Sequence, residues 1–252
     1  MNIPKIIFIV PFRDRDYLKN FFLVYMNYIM EDYDKLDYEI YFSHQCDTRK
    51  FNRGAIKNLG FLAMSQKYPD NFKEITFVFN DIDTIPSFKN QLKYETNKGT
   101  IKHFFGFEFA LGGILSIKGE DFLKLNGFPN FWGWGLEDNL LKKRADENNI
   151  IIDRSNFYDF LDKNIINIDK DPNKIISKNP ITKLSLGIKS NIGLNTLCNI
   201  YFKINDNFIN IYKFDDSVIP YHKEVFTNQN LDVTGNKLKN KFRFEGKLKM
   251  RF

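Results

Sequence analysis

Hydrophobic and polar positions alternate between two periods along the first part of the chain. Lys5 to Val10 is a continuous apolar, β-branched run that stops at Pro11, the pattern of a strand buried on both faces. Leu18, Phe21, Phe22, Tyr25, Met26 and Ile29 then recur at helical spacing after Asp16, an acidic residue suited to a helix N-terminus. Tyr38 to Ser43 predicts a second strand, and Asn52 a helix cap with Ile56, Leu59, Leu62 and Ala63 on the inner face. Ile75 to Phe79 predicts a third strand. This order predicts an α/β protein with a mostly parallel, doubly wound sheet, whose ligands bind beyond the carboxyl ends of the strands. The loops after Val10, Ser43 and Phe79 carry Arg13 and Arg15, Phe51 to Arg53, and Asp81 to Asp83, so all three are expected on one cleft.

Further on, Gly113 to Ile117 predicts a short strand, Glu120 to Leu125 a short helix, and Leu136 to Glu147 a longer one. Asp159 to Lys178 is rich in Asn, Asp and Lys, which predicts a long, mobile loop. Tyr201 to Ile204 and Phe208 to Tyr212, split by Asn205-Asp206-Asn207, predict a hairpin. In the tail, Phe242, Phe244, Leu248, Met250 and Phe252 alternate with basic residues around Glu245-Gly246, which predicts a second one. The expected organisation is one domain over 1–232, with the hairpin of 233–252 packed on it.

Charge changes this picture little. The net +6 is accounted for by the tail from Val233 to Phe252, with seven basic residues against Glu245 alone, so the preceding chain is neutral overall. A tail-borne charge gives no reason to expect nucleic acid as partner. The tail is read as covering a sheet edge, with peripheral contact to an anionic membrane or glycolipid as the other reading. Cys46 and Cys198 lie far apart and provide no disulfide framework. Without a membrane-length apolar run or a signal-peptide pattern, the expectation is a soluble, cytoplasmic protein.

Candidate chemistry sits in three motifs. Asp81-Ile82-Asp83 follows a buried strand, where two carboxylates can share one task, and oxygen ligands suit a Mg or Mn ion bridging to substrate phosphates. Taken alone, the triplet is equally a solvated turn. Arg13, Arg15 and Arg53 match diphosphate oxygens, with Phe12 and Phe51 bordering a base or simply filling the core. The run from Asn126 to Asn139 holds both tryptophans of the chain, three glycines and the pair Glu137-Asp138. Two aromatics flanking Gly133 resemble a sugar-stacking platform, and a carboxylate in the first turn of a helix is favoured ionised, able to act as a base. Gly133 and Gly135 would permit hinge motion. A helix cap with buried tryptophans is the plain alternative.

Together these segments resemble the β-1,4-galactosyltransferase family of inverting, metal-dependent glycosyltransferases, in order over roughly residues 3–215. The similarity rests on Pro11-Phe12-Arg13-Asp14-Arg15, Phe51-Asn52-Arg53 with Asn58 and Gly60-Phe61, Phe77 to Asp83 with Pro86, and Gly112-Gly113. It continues through Asn126-Gly127-Phe128-Pro129-Asn130, Trp132-Gly133-Trp134-Gly135 with Glu137-Asp138, and Gly193 to Leu197. The resemblance implies a GT-A fold and sugar transfer from a UDP-sugar to a hydroxyl of a glycan or glycoconjugate. By the same resemblance Pro11, Phe12, Arg13, Arg15, Phe51 and Arg53 would hold the nucleotide, and Asp83 would bind Mn or Mg with Asp81 supporting the donor. Gly113, Trp134 and Glu137 would line the sugars, and Asp138 would be the base.

Two departures qualify the resemblance. The family's second metal ligand, a His after the catalytic helix, is absent, leaving Asp162, Asp169 or a folded-back His222 as candidates. The Tyr that galactose-selective members carry before the paired glycines is Ala110 here, which would enlarge the donor pocket towards an N-acetylated sugar such as GalNAc. The alternatives are a sugar-binding module with weak or no turnover, and a metal-dependent phosphoryl-transfer enzyme acting on nucleic acid. The latter leaves the Trp-Gly-Trp run unexplained.

Overall fold

The computed structural model describes residues 2–168, 173–179 and 191–231. The expected tail hairpin of 233–252 and the candidate ligand Asp169 lie outside the described residues.

The chain begins with β1 (Ile6–Phe12), α1 (Asp16–Ile29), β2 (Tyr38–Gln45), α2 (Arg53–Lys67) and β3 (Thr76–Asn80). β1 lies between β2 and β3 and pairs with both in parallel. Its alternate side chains enter two different cores: Ile7 and Ile9 pack towards Leu59, Phe77 and Phe79, whereas Ile6, Phe8 and Val10 pack towards Phe22 and Met26 of α1. A strand buried on both faces needs apolar residues at every position, which is why its sequence reads as an unbroken run.

After β3 come β4 (Thr84–Pro86), β5 (Thr100–Gly106), β6 (Ile114–Lys118), α3 (Gly119–Lys124), α4 (Glu137–Glu147), β7 (Ile151–Asp153) and β8 (Tyr158–Asp159). β9 (Ile165–Asn167), β10 (Asn173–Ser177), β11 (Leu197–Asn205), β12 (Phe208–Asp216) and β13 (Phe226–Asn230) complete the strands. The main sheet runs β11-β12-β2-β1-β3-β6-β5-β7, with β8 also paired to β5. β6 is antiparallel to both β3 and β5. The reversal brings the start of β6 and the end of β5 to the same edge of the sheet as the ends of β1 and β3. The expected hairpin after Leu197 is present as β11 and β12, and β12 joins β2 in parallel.

The stretch from Asp159 to Lys178, expected as a mobile loop, instead contributes strands among the described residues. β9 pairs with β4, and β10 pairs with β13. Each ladder involves a short partner far away in sequence, so local composition carries no sign of it.

Candidate active site

α2 supplies the cations at the centre of the cleft. Asn52 caps it, accepting from Ala55 N at 2.9 Å, while its side-chain amide donates to Asn130 O at 2.8 Å. Six residues further on, Asn58 donates to Phe128 O and to Asn130 Oδ1, and accepts from Phe128 N. The Asn126 to Asn130 part of the long motif is therefore a buried hydrogen-bonded scaffold that fixes α2 against the segment leading to α4.

On this scaffold Arg53 and Lys57 stand one turn apart and face three carboxylates. Arg53 Nε donates to Glu137 Oε1 at 2.8 Å, Nη1 to Asp81 Oδ2 at 3.1 Å, and Nη2 to Asp138 Oδ2 at 3.1 Å. Lys57 Nζ lies 3.4 Å from Asp138 Oδ1 and 3.6 Å from Asp81 Oδ1. Two cations thus meet three anions, which leaves one negative charge uncompensated when all are ionised. It falls on Asp138. Burial raises that carboxyl to about 6, with Glu137 and Asp81 adding to the shift and Lys57 and Arg53 opposing it. Burial pushes Asp81 in the same sense, but Arg53, Lys57 and Arg15 outweigh it and hold it below the usual carboxylate range. Burial disfavours the Arg53 charge too, and the three carboxylates overcome it and raise its pKa well above the ordinary value.

Asp138 is held from behind by the paired glycines. Leu111 N donates to Asp138 O at 3.0 Å, and Gly113 O accepts from Asp81 N at 2.9 Å. A Cβ on Gly112 would overlap Asp138 Oδ2, so no larger residue fits there with the carboxylate in place. Gly112 O is 3.1 Å from His103 Nε2. Burial, then the Arg154 guanidinium beside it, lowers His103 to about 4, so the ring is neutral at neutral pH. Arg154 Nε donates to Nδ1 at 3.1 Å, which leaves the ring proton on Nε2 to be donated to Gly112 O.

The other expected site residues are distributed around this centre. Arg15 Nη1 lies 3.4 Å from Asp83 Oδ2. Arg13 donates to Arg49 O and pairs with Asp14. Pro11 and Phe12 end β1. The Phe12 ring is 4 % exposed and meets Phe42, His44 and Phe208 edge-on, so its ring serves mainly as core. Phe51 is half-buried, and its carbonyl accepts from Gly133 N at 3.0 Å. Arg53, expected to face a diphosphate, is committed to carboxylates, and Glu137, expected beside a sugar, is 3 % exposed and tied to Arg53.

The two tryptophans do not form one platform. Trp132 is buried, stacked on Phe214 with centroids 5.3 Å apart, and donates from Nε1 to Ile219 O at 3.0 Å. The Arg49 guanidinium lies 4.7 Å from its ring. Trp134 is half-buried and remains the candidate sugar contact. Of the two glycines expected to allow hinge motion, Gly133 bridges to Ile176 beside a bond from Trp134 N to Ile175 O at 2.7 Å, whereas Gly135 has open space around it at φ +105°.

Hard oxygen donors at Asp81 and Asp83 fit a Mg or Mn ion. Among the described residues Asp81 Oδ1 is buried and makes no hydrogen bond, and the positive charge facing it is the Lys57 ammonium at 3.6 Å. No group of three His, Cys, Asp or Glu side chains converges on a metal-sized volume among the described residues. Asp162 Oδ1 accepts from Asn164 N in its own turn, and His222 is exposed on a short turn next to Tyr221, whose ring packs on Trp132. The fit is that of a partial site.

Sequence reasoning missed Lys57, His103 and Arg154. A signal for Lys57 was present: it lies four residues after Arg53, hence on the same helical face, among apolar neighbours. His103 carried none, because β5 itself was not foreseen.

Residues 2–95 match the family described as the N-terminal region of glycosyl transferase group 7. Residues 101–165 match the one described as the N-terminal domain of galactosyltransferase. The chain is 34 % identical over 161 residues to Beta-1,4-galactosyltransferase 1 of Mus musculus, covering 60 % of this chain and 39 % of that protein. It is 30 % identical over 166 residues to Beta-1,4-galactosyltransferase 4 of Cricetulus griseus, covering 61 % and 46 %. The matches span less than half the length of these relatives. Among solved structures, the fold is similar to the catalytic domain of Drosophila beta-1,4-galactosyltransferase 7 in complex with xylobiose. That match has TM-score 0.64 and 22 % identity over 83 % of this chain and 94 % of the other. A mutant of the same enzyme in complex with manganese, UDP-Gal and xylobiose superposes with TM-score 0.63, 21 % identity and the same coverage. The two matched regions together span most of the sheet and every carboxylate of the cluster, and the chain belongs to the β-1,4-galactosyltransferase family.

Proposed function

We propose that the protein is an inverting glycosyltransferase that moves galactose or an N-acetylhexosamine from a UDP-sugar to a sugar hydroxyl, forming a β-1,4 linkage. The observation that carries this reading is Asp138: a buried carboxylate with a pKa raised to about 6, at the first turn of α4, joined through Arg53 and Lys57 to the carboxylate after β3. Such a group is ionised at neutral pH yet basic enough to take a proton from an attacking hydroxyl. As that proton moves to Asp138, the hydroxyl oxygen attacks the anomeric carbon from the face opposite the diphosphate, which departs with the bonding electron pair. Arg13 and Arg15, on the loop after β1, carry guanidinium groups suited to the diphosphate, and Trp134 a ring suited to a sugar face.

A Mn or Mg ion held by Asp83, with Asp81 behind it, would neutralise charge developing on the leaving diphosphate. The complexes of the Drosophila relative support manganese, a uridine diphosphate donor and a glycan acceptor as the partners to test. Ala110 supports the N-acetylated donor, since its methyl group replaces a phenol ring in galactose-selective members.

The deciding experiment incubates the protein and Asp138→Asn with UDP-galactose, UDP-GalNAc and UDP-GlcNAc and a panel of simple sugars, with and without Mn. Released UDP and product linkage are measured. Metal-dependent transfer by the wild type, lost in Asp138→Asn, is the expected result. Equal turnover by both proteins removes Asp138 as the base, and strict galactose selectivity removes the role given to Ala110.

A further inference from the structure

The two aspartates and the two cations of the cluster are paired in an unusually regular way. Arg53 contacts Oδ2 of both Asp81 and Asp138, whereas Lys57 contacts Oδ1 of both. Each carboxylate is thereby held on both oxygens by two successive turns of one helix. Lys57 is only 1 % exposed and its ammonium lies 4.5 Å from the centre of the Phe128 ring, a face that favours a cation. An ammonium has three donors and no acceptor, and among the described residues it faces these oxygens and the ring. Asp81 Oδ1 makes no hydrogen bond, and the Lys57 ammonium is the cation facing it.

We propose that Lys57 is a positioning residue for the transfer reaction: it fixes the orientation of the Asp138 carboxylate and couples that base to Asp81 on the donor side. This rests on the reading of Asp138 as base given above. The groups facing Asp138 are Arg53 and Lys57 from α2, Glu137 beside it on α4, and Asp81 after β3; neutral His103 stands behind Gly112. Of the two cations, Arg53 is divided among three carboxylates and Lys57 between two. Lys57 is therefore the cation most concentrated on the base. A buried carboxylate relieved of such a neighbour becomes harder to ionise, and its orientation loses one of two restraints.

The test uses Lys57→Met, similar in length and apolar enough for the Phe128 contact, and Lys57→Arg, which retains the charge. In protein labelled at aspartate carboxyl carbons, carbon NMR follows the Asp138 resonance, assigned with Asp138→Asn, as pH is varied. Lys57→Met should raise the Asp138 midpoint by about 1–3 units, and Lys57→Arg should keep it within about half a unit of the wild type. With UDP-galactose and Mn, the acid limb of kcat/KM should move with the midpoint. At pH 7 Lys57→Met should lose between about twofold and about a hundredfold in rate, according to how far the midpoint moves, and recover towards pH 9. In the Asp138→Asn background, Lys57→Met should cause no further loss. A midpoint unmoved in Lys57→Met, or moved as far in Lys57→Arg, overturns the proposal. Should Met prevent folding, Lys57→Gln is read by the same criteria. The NMR titration needs no turnover, so a wild type that transfers no sugar overturns the functional reading while leaving the Lys57 coupling separately judged.

Discussion

The loop after β3 and the first turn of α4 each present an aspartate to the same pair of cations, yet the two carboxyls shift in opposite directions. Their side chains are almost equally exposed, at 15 % and 14 %, so desolvation does not separate them. What differs is the rest of the surroundings: a hydrogen bond from Lys57 and the charge of Arg15 lower Asp81, whereas Glu137 and Asp81 itself raise Asp138. These neighbours favour an anionic Asp81, suited to standing near a cation, and an Asp138 that keeps affinity for a proton, suited to acting as a base. Two similar side chains that share the same pair of cations thus take up shifts of opposite sign.

Removing one side of this contrast should have the largest effect. Asp138→Asn is expected to lower kcat/KM by about 10³-fold, within the usual range for a general base, while the wild-type rate falls as pH drops through about 6 and the carboxylate takes up a proton. Arg53→Met removes the fork that holds both aspartates and leaves three carboxylates facing Lys57. The expected loss of stability in denaturant unfolding is on the order of 3–5 kcal/mol. Gly112→Ala sharpens the contrast by displacing Asp138 while leaving Asp81 in place. Its Cβ would overlap Asp138 Oδ2, and a displacement of about 1 Å costs up to roughly 10²-fold in kcat.

The smallest expected effect concerns stability. A carboxyl whose folded pKa lies above its unfolded value is penalised when ionised, so the folded protein gains stability as pH falls from about 6 to the unfolded value. Asp138→Asn should therefore melt roughly 2–6 °C higher than the wild type near pH 7.5 and lose this advantage by about pH 4. A Tm difference independent of pH would show that Asp138 carries no such penalty.

The first half of the sheet was legible because β1 to β3 declare themselves by unbroken apolar runs, with helical spacing between them. α4 was legible from its opening carboxylates, which the structure places at its first two positions. The cleft was legible as a convergence of loops, since parallel order forces strand ends together. Less of the internal wiring was. Arg53 was readable as a cation in the cleft, but its partners depend on how Asn52, Asn58 and Asn130 dock α2 against a segment more than seventy residues away. The Trp-Gly-Trp run looked like one platform because spacing alone cannot say which ring turns inward. The packing of Trp132 on Phe214 and Arg49 is set by β12, far along the chain. β9 and β10 were missed for a related reason: their pairing partners are distant, and each carries only two adjacent isoleucines, too short a run to announce a strand.

That division between the tryptophans also has an optical consequence. Trp132 and Trp134 are the only indoles in the chain, two residues apart, one sealed against Phe214 beneath a guanidinium and the other reaching partway to water. Ultraviolet emission from this protein is therefore the sum of a shielded fluorophore and an accessible one. Acrylamide should quench only the second. A sugar laid on Trp134 would change that component alone, with Trp132 as an internal standard, so the unlabelled chain carries its own reporter of occupancy at the cleft.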